Sequence, residues 1–296
     1  MDRRTFCVAS AASLAVGCTL RPPAEPIDNV DAADGRFEAI RATLGPGARL
    51  GVAAIDTGSG RQLRFDADSR YAMASTFKLP LAAAVLALAE EGKLSLSEEL
   101  PFGPGDPLPN SPTVEAALAL RRLPIVRLCA GIVERSDNSA ANLLLRRIGG
   151  PEALTRFIRA CGDPVSRLDR NEMELNSNLP GDPRDTTSPA AMAGLVRTLV
   201  LGDVLADRSR THLATWLKKS VPGMDRLKAG FPSPPWLVGH KTGTGANGAV
   251  NDVAVVWRSG GAPLVVACYQ SGGNAAPSVR AAAHASVGRL VAEAFA

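Results

Sequence analysis

The sequence has little of what a metal-dependent or nucleic-acid-binding protein needs. Its three histidines, His212, His240 and His284, lie far apart, and no Cys or His pair stands at ligand spacing, so neither a zinc site nor another metal cofactor is expected. Lys plus Arg total 33 against 29 Asp plus Glu; the net charge of +4 is modest and the basic residues form no block, which argues against nucleic acid as a partner. Beyond the N-terminus no stretch approaches the roughly 20 apolar residues of a membrane helix. Internal repeats and low-complexity tracts are absent apart from a richness in Ala that suits helices. What remains is a chain of 296 residues, 46% apolar and 21% charged, too balanced to be disordered and long enough for one large domain or two interleaved lobes.

Asp2-Arg3-Arg4-Thr5-Phe6 precedes a small apolar run from Cys7 to Gly17, the layout of a bacterial twin-arginine export signal, and the run is too short to serve as a membrane anchor. Residues 1–18 are therefore expected to be an export signal and 19–29 a disordered linker, giving a periplasmic protein. Gly17-Cys18 also offers a lipoprotein cleavage point, the alternative being simple cleavage between Thr19 and Ala24. The mature part keeps Cys129, Cys161 and Cys268, an odd number, so at least one thiol stays free unless it pairs between chains. Cys129 and Cys268 fall within apolar patterns and read as core fillers.

Leu50 to Ile55 reads as a buried strand that Thr57-Gly58-Ser59-Gly60 turns into a second one, Arg61 to Phe65. Helical periodicity dominates from about residue 75 to 217, over Leu79–Glu91, Val114–Leu120, Ile125–Glu134, Ala140–Ile148, Pro151–Ala160 and Pro189–Leu201. Strand patterns return at Trp236–Lys241, Asn251–Trp257 and Pro263–Tyr269, and Val279–Phe295 closes as a helix. Strands at both ends with helices between them predict an α/β (α+β) fold: a sheet lobe from 30–66 and 218–296, and an all-α lobe from 67–217 inserted between them. A site would form in the cleft between lobes. The segment 162–187 lacks periodicity and makes a loop of about 26 residues, a length that is usually functional.

Ser75-Thr76-Phe77-Lys78 sets a hydroxyl and an amine three residues apart, on one face if a helix begins here, and Pro80 fits near such a start. A Ser-x-x-Lys arises by chance about once in a chain this long. Ser136-Asp137-Asn138, at a break between helices, and Lys241-Thr242-Gly243, at a strand end, are each about one-in-twenty events, and all three in this order about one in a few hundred. Taken alone, Ser136-Asp137-Asn138 is a helix cap and Lys241-Thr242-Gly243 a strand end with a solvated lysine. Within the long loop, Glu172 and Asn176 stand four apart and can hold one water between them if the stretch makes a helical turn, which is what a hydrolytic base requires. Arg170 and Asp185 bracket this stretch, and an ion pair between them would staple the loop closed.

Taken together, Ser75-x-x-Lys78, Ser136-Asp137-Asn138, Lys241-Thr242-Gly243 and the Glu172 to Asn176 loop resemble a class A serine β-lactamase over about residues 30–296. The first three motifs are shared with penicillin-binding proteins; the fourth separates the two families. The resemblance implies hydrolysis of penicillin- or cephalosporin-type antibiotics through an acyl-enzyme on Ser75, with Lys78, or Glu172 through a water, taking the serine proton. Backbone N–H groups of Ser75 and Thr244 would form the oxyanion hole, and Ser136, near Lys78 and Lys241, would protonate the departing ring nitrogen. Asn138 would bind the substrate's side-chain amide. Lys241, Thr242 and Thr244 would hold its carboxylate beside Gly243, joined by Arg226, fifteen residues ahead of Lys241. Glu172 with Asn176 would direct the deacylating water, and Asn142, Arg170 and Asp185 would hold the loop. The implied partner is a small β-lactam, no cofactor is needed, and the expected state is a monomer. The alternatives are a D-alanyl-D-alanine peptidase and a β-lactam sensor that keeps its acyl group.

The sequence departs from the family pattern in places. Met173 replaces the proline often found after the loop glutamate, where the family's bond is commonly cis and Asn142 or its neighbours would have to hold it. Asn110 stands where an aromatic often lines the cleft, and His240 where an acidic residue often precedes the lysine. Ala82 opposite Cys129, and Ala74 with Gly245, exclude the two disulfides found among relatives.

Overall fold

The computed structural model describes residues 31–296, so the expected export signal, its cleavage point and the linker lie outside the described residues. Along the chain run α1 (Asp31–Ala42), β1 (Arg49–Asp56), β2 (Gln62–Phe65), β3 (Tyr71–Ala72), α2 (Lys78–Glu90), β4 (Glu99–Pro101), α3 (Pro112–Glu115), β5 (Arg122–Pro124), α4 (Ile125–Glu134), α5 (Asn138–Ile148), α6 (Pro151–Ala160), β6 (Thr186–Thr187), α7 (Pro189–Leu201), α8 (Asp207–Lys218), α9 (Leu227–Gly230), β7 (Leu237–Thr244), β8 (Val250–Trp257), β9 (Leu264–Ser271) and α10 (Pro277–Ala294). Five strands form one antiparallel sheet in the order β2-β1-β9-β8-β7. Its N-terminal hairpin meets the C-terminal strands because β1 pairs with β9 along its whole length, from Arg49 opposite Ser271 to Asp56 opposite Leu264.

Side-chain alternation assigns the two faces of the sheet, and both are buried. Val52 and Ala54 of β1, Ala254 and Val256 of β8, and Leu264, Val266 and Cys268 of β9 pack against Phe37 of α1, Leu227 of α9 and Val287, Leu290 and Val291 of α10. Ala53, Ile55, Val253, Val255, Val265, Ala267 and Tyr269 face the other way, into a core shared with Phe77 and Leu81, Ile132, Leu144, Met192 and Leu213 of the central helices. Helix α2 sits in the middle of that core with Leu79 to Leu86 all buried, so it carries no amphipathic stripe. The helix that begins at Lys78 is thus anchored on every side.

Helices α4, α6 and α7 keep the bounds read from the sequence, and α2, α5 and α10 shift by a residue or two at their ends. The expected Val114–Leu120 helix is shorter: α3 ends at Glu115 and the chain continues in turns with i−3 bonds such as Leu120 N–H to the Ala117 carbonyl. Leu120 is 67% exposed and finds no core to hold a longer helix. Helix α8 gave no clear signal because only Ser209, Leu213, Trp216 and Leu217 of its twelve residues are buried.

One core residue predicts acid sensitivity. His284 of α10 is fully buried, donates Nε2–H to the Val250 carbonyl at 3.1 Å, and has no partner for Nδ1. A protonated ring would bury a charge and a second, orphaned N–H, and burial accordingly lowers its pKa from 6.5 to about 4. The unfolded chain therefore binds the extra proton first: the contribution is complete above pH 6.5 and is lost as pH falls toward 4, about 3 kcal/mol in all. Urea titrations between pH 7 and 4 should show this decline, and His284→Gln should flatten it.

Candidate active site

A single turn positions Ser75. Ala74 to Phe77 wind as a 3₁₀ turn that runs directly into α2, which puts Ser75 and Lys78 on one face with Lys78 Nζ 2.9 Å from Ser75 Oγ. Strand β7 passes close by. A Cβ on Gly243 would lie 2.8 Å from the Met73 carbonyl oxygen and 3.1 Å from Ser75 N, so only glycine lets the strand approach the serine this closely. On the β8 side, Asn251 Nδ2 donates to the Ala72 and Met73 carbonyls at 2.9 and 3.1 Å, tying the segment that feeds Ser75 to the sheet.

The break between α4 and α5 supplies the next groups. Asp137 caps α5 by accepting from Ala140 N–H at 2.8 Å and also accepts from the Thr113 and Val114 N–H groups at 2.7 and 3.1 Å. The bland reading of this tripeptide as a cap is therefore true of its middle residue, while its neighbours face the cleft. Ser136 is held at φ +61, where non-glycine residues are rarely found. Its carbonyl accepts from Lys78 Nζ at 2.9 Å and from Asn110 Nδ2 at 3.1 Å, and its Oγ accepts from Lys241 Nζ at 3.0 Å. Asn110 is thus turned onto the Ser136 loop rather than offering a stacking surface. Asn138 Oδ1 accepts from Lys78 Nζ at 2.5 Å while its Nδ2 donates to the Pro109 carbonyl at 2.7 Å.

The long loop folds back onto these groups. The Glu172-Met173 peptide bond is cis, and Asn142 grips it from α5: Nδ2 donates to the Glu172 carbonyl and Oδ1 accepts from Glu172 N–H, both at 2.9 Å. Glu174 to Asn176 form the short helical turn, which brings Asn176 Nδ2 to Glu172 Oε2 at 2.7 Å. Glu172 Oε1 is 2.8 Å from Lys78 Nζ, both side chains being wholly buried, yet neither this oxygen nor Asn176 Oδ1 receives an aligned hydrogen bond. Arg170 Nε donates to Asp185 at 2.6 Å, and the same carboxylate accepts from the Asp169 and Arg170 N–H groups at 2.7 and 2.9 Å. Removing a buried carboxylate that serves three donors should be costly. Asp185→Ala is expected to lower stability by about 3 kcal/mol in urea unfolding, and to expose the 162–187 loop to proteolysis at native concentrations of denaturant.

Arg226 comes in from the residue before α9. Its guanidinium donates to the Gly243 and Asn251 carbonyls, each at 3.0 Å, and to Thr244 Oγ1 at 2.8 Å. Ser75, Ser136, Asn138, Asn176, Arg226, Thr242, Gly243 and Thr244 together line a cleft of about 670 Å³, with Lys78, Glu172 and Lys241 buried in its floor. Burial lowers the pKa of Lys78, although Glu172 and Asp137 pull it upward. Lys241 is lowered well below its ordinary value, by burial first and then by the charge of Lys78. Two desolvated amines beside one hydroxyl and one buried carboxylate make an arrangement through which protons can pass.

The residues selected from the sequence for catalysis and substrate binding line this cleft or touch its lining, while Asn142, Arg170 and Asp185 hold the 162–187 loop beside it. Sequence reasoning missed Asn251, and with it the buried Asp252 beside it; the signal was present as an Asn-Asp pair interrupting an otherwise apolar strand. Cys129, Cys161 and Cys268 are all free thiols, Cys129 and Cys268 buried and Cys161 partly so. Among the described residues no group of three or more His, Cys, Asp and Glu side chains is arranged to hold a metal ion, and no helix is long and apolar enough to cross a membrane.

Comparison with known proteins agrees with this geometry. Residues 36–295 match the profile of the Beta-lactamase enzyme family. Beta-lactamase CTX-M-8 of Citrobacter amalonaticus is 44% identical over 223 residues, covering 75% of this chain and 76% of that protein. The carbapenem-hydrolyzing beta-lactamase KPC of Klebsiella oxytoca is 43% identical over 248 residues, 83% and 84% of the two chains. Among solved structures, the ancestral (GNCA) beta-lactamase class A superposes with a TM-score of 0.86 at 47% identity, covering 88% of this chain and 99% of that one.

Proposed function

The chain belongs to the β-lactamase enzyme family and is a class A serine β-lactamase, and from that premise we propose how its residues divide the reaction. Ser75 attacks the β-lactam carbonyl, and its proton passes to Lys78, whose Nζ lies 2.9 Å from the serine Oγ and 2.8 Å from Glu172 Oε1. The Ser75 and Thr244 N–H groups stabilise the oxyanion, a contribution of about 3 to 4 kcal/mol per donor in comparable sites. Ser136, hydrogen-bonded to Lys241, hands a proton to the ring nitrogen as the C–N bond breaks. Asn138 binds the side-chain amide, while Lys241, Thr242, Thr244 and Arg226 receive the carboxylate.

A water then attacks the acyl-enzyme, with Glu172 taking its proton. The observation that carries this reading is the pair of buried acceptors, Glu172 Oε1 and Asn176 Oδ1, neither with an aligned hydrogen bond from the protein. A water donates two hydrogen bonds and fits such a pair. Asn142, Arg170 and Asp185 keep the glutamate in place. Export to the periplasm is supported by Arg3-Arg4 and the short apolar run after them, with Cys18 as the residue that would take a lipid. A monomer suffices because every group named above comes from one chain.

The test is multiple turnover of a chromogenic cephalosporin. Sustained hydrolysis over many equivalents is expected, whereas one stoichiometric burst followed by arrest would remove Glu172 from its role as the deacylating base.

A further inference from the structure

Behind the carboxylate-binding wall lies a buried charged cluster that the reaction above does not use. His240 and Asp252 are both fully buried. His240 Nδ1 is 3.1 Å from each oxygen of Asp252, and Asp252 Oδ2 also accepts from Leu227 N–H at 3.1 Å. Asp252 is the cross-strand partner of Thr242, so the two side chains stand next to each other on one face of the sheet. Leu227 directly follows Arg226. One carboxylate therefore ties together β7 through His240, β8 through its own backbone, and the start of α9 through Leu227, and these are the three elements that present Lys241 with Thr242 and Thr244, Asn251, and Arg226.

Stability alone does not account for the pair. A carboxylate taken fully out of water gives up solvation that its polar partners only roughly restore, and well-packed apolar residues commonly do as well at such places. The titratable groups around Asp252 come from every packed element: His240 and Lys241 on β7, His284 on α10, Arg226 with Asp225 ahead of α9, and the Cys268 thiol on β9. Burial raises the Asp252 pKa, but His240, His284 and Arg226 more than reverse this and leave it below the ordinary carboxylate value. The carboxylate stays ionised at neutral pH, able to accept from His240 and from Leu227 together.

We propose that Asp252, oriented by His240, is a positioning residue for substrate binding: it fixes the Leu227 backbone, and through it the Arg226 guanidinium, against Thr242 and Thr244. The proposal rests on the assignment of Arg226, Thr242 and Thr244 to the substrate carboxylate. It makes Asp252 matter to a substrate in proportion to that substrate's negative charge, which a merely structural residue would not do.

The experiment compares a penicillin with its methyl ester on the full enzyme and three variants. Arg226→Gln should raise KM for the acid about tenfold and narrow the acid-to-ester ratio of kcat/KM; if it leaves that ratio unchanged, the carboxylate assignment itself is wrong. Given that effect, Asp252→Ala should also raise KM for the acid by about tenfold, with kcat within about threefold and the ester hardly affected. Asp252→Asn, whose amide oxygen can still accept from Leu227 N–H, should recover most of the loss. Equal effects of Asp252→Ala on acid and ester, or an acid KM that does not move, would overturn the positioning role. If the alanine variant does not accumulate as folded protein, His240→Gln is put through the same acid-to-ester comparison and decides by the same ratio.

Discussion

Replacing Ser75 with alanine is expected to reduce β-lactam turnover by on the order of 10⁶-fold, the scale on which removal of a covalent nucleophile acts in serine hydrolases. The substitution deletes one oxygen from a residue at the mouth of a preformed cleft, and the groups assigned to substrate recognition, Asn138, Thr242, Thr244 and Arg226, keep their hydrogen bonds. Substrate affinity measured by equilibrium binding should therefore change by less than about tenfold. Lys78 is 2.9 Å from the hydroxyl and has no other assigned role in forming the ester, so Ser75→Ala combined with Lys78→Ala should cost no more than Ser75→Ala alone. Additive losses would mean that the lysine acts on some step the serine does not share.

Glu172→Gln is expected to lower kcat by about 10² to 10⁴, the range for loss of a general base, while acylation persists. Two consequences of the buried geometry set this division. Glutamine retains an oxygen that can accept the bond from Asn176 Nδ2, so the loop need not move. Removing the carboxylate charge also withdraws the strongest influence raising the Lys78 pKa, which then falls further below its ordinary value and leaves a larger neutral fraction to accept the serine proton. Rapid-mixing experiments should thus show a burst of ring opening close to that of the unmodified enzyme, followed by near arrest. A variant in which burst and steady state fall together would place Glu172 in acylation as well.

The site was more legible in the sequence than parts of the fold, for a physical reason. Its groups are short motifs whose chemistry depends on spacing along one element: three residues for Ser75 and Lys78, four for Glu172 and Asn176. Local geometry was enough for those. Helix α8 was obscure because it buries four residues along one edge, and α3 ended early because Leu120 had nothing to pack against. The missing pieces of the site were long-range. Asn251 reaches the Met73 carbonyl across 178 positions of sequence, and Asp252 meets Leu227 across 25; neither partner can be inferred from spacing. His240 was noticed as a departure beside Lys241, but that it turns away from the lysine, toward Asp252 on the far face of β7, is a matter of strand register. Asn110 was noticed as standing where an aromatic often lines the cleft, but that its amide braces Ser136 in a left-handed conformation 26 positions away could not be read from spacing.

The central claim is that water released onto a Ser75 ester by Glu172 makes this a turnover enzyme, and intact-mass spectrometry of Glu172→Gln mixed with a cephalosporin tests it most directly. The expected spectrum shows the protein shifted by one acyl group, the adduct mapping to the peptide that contains Ser75 and persisting long after the unmodified enzyme has returned to its free mass. A spectrum with no adduct, or with one that clears as fast as in the unmodified enzyme, would contradict the account.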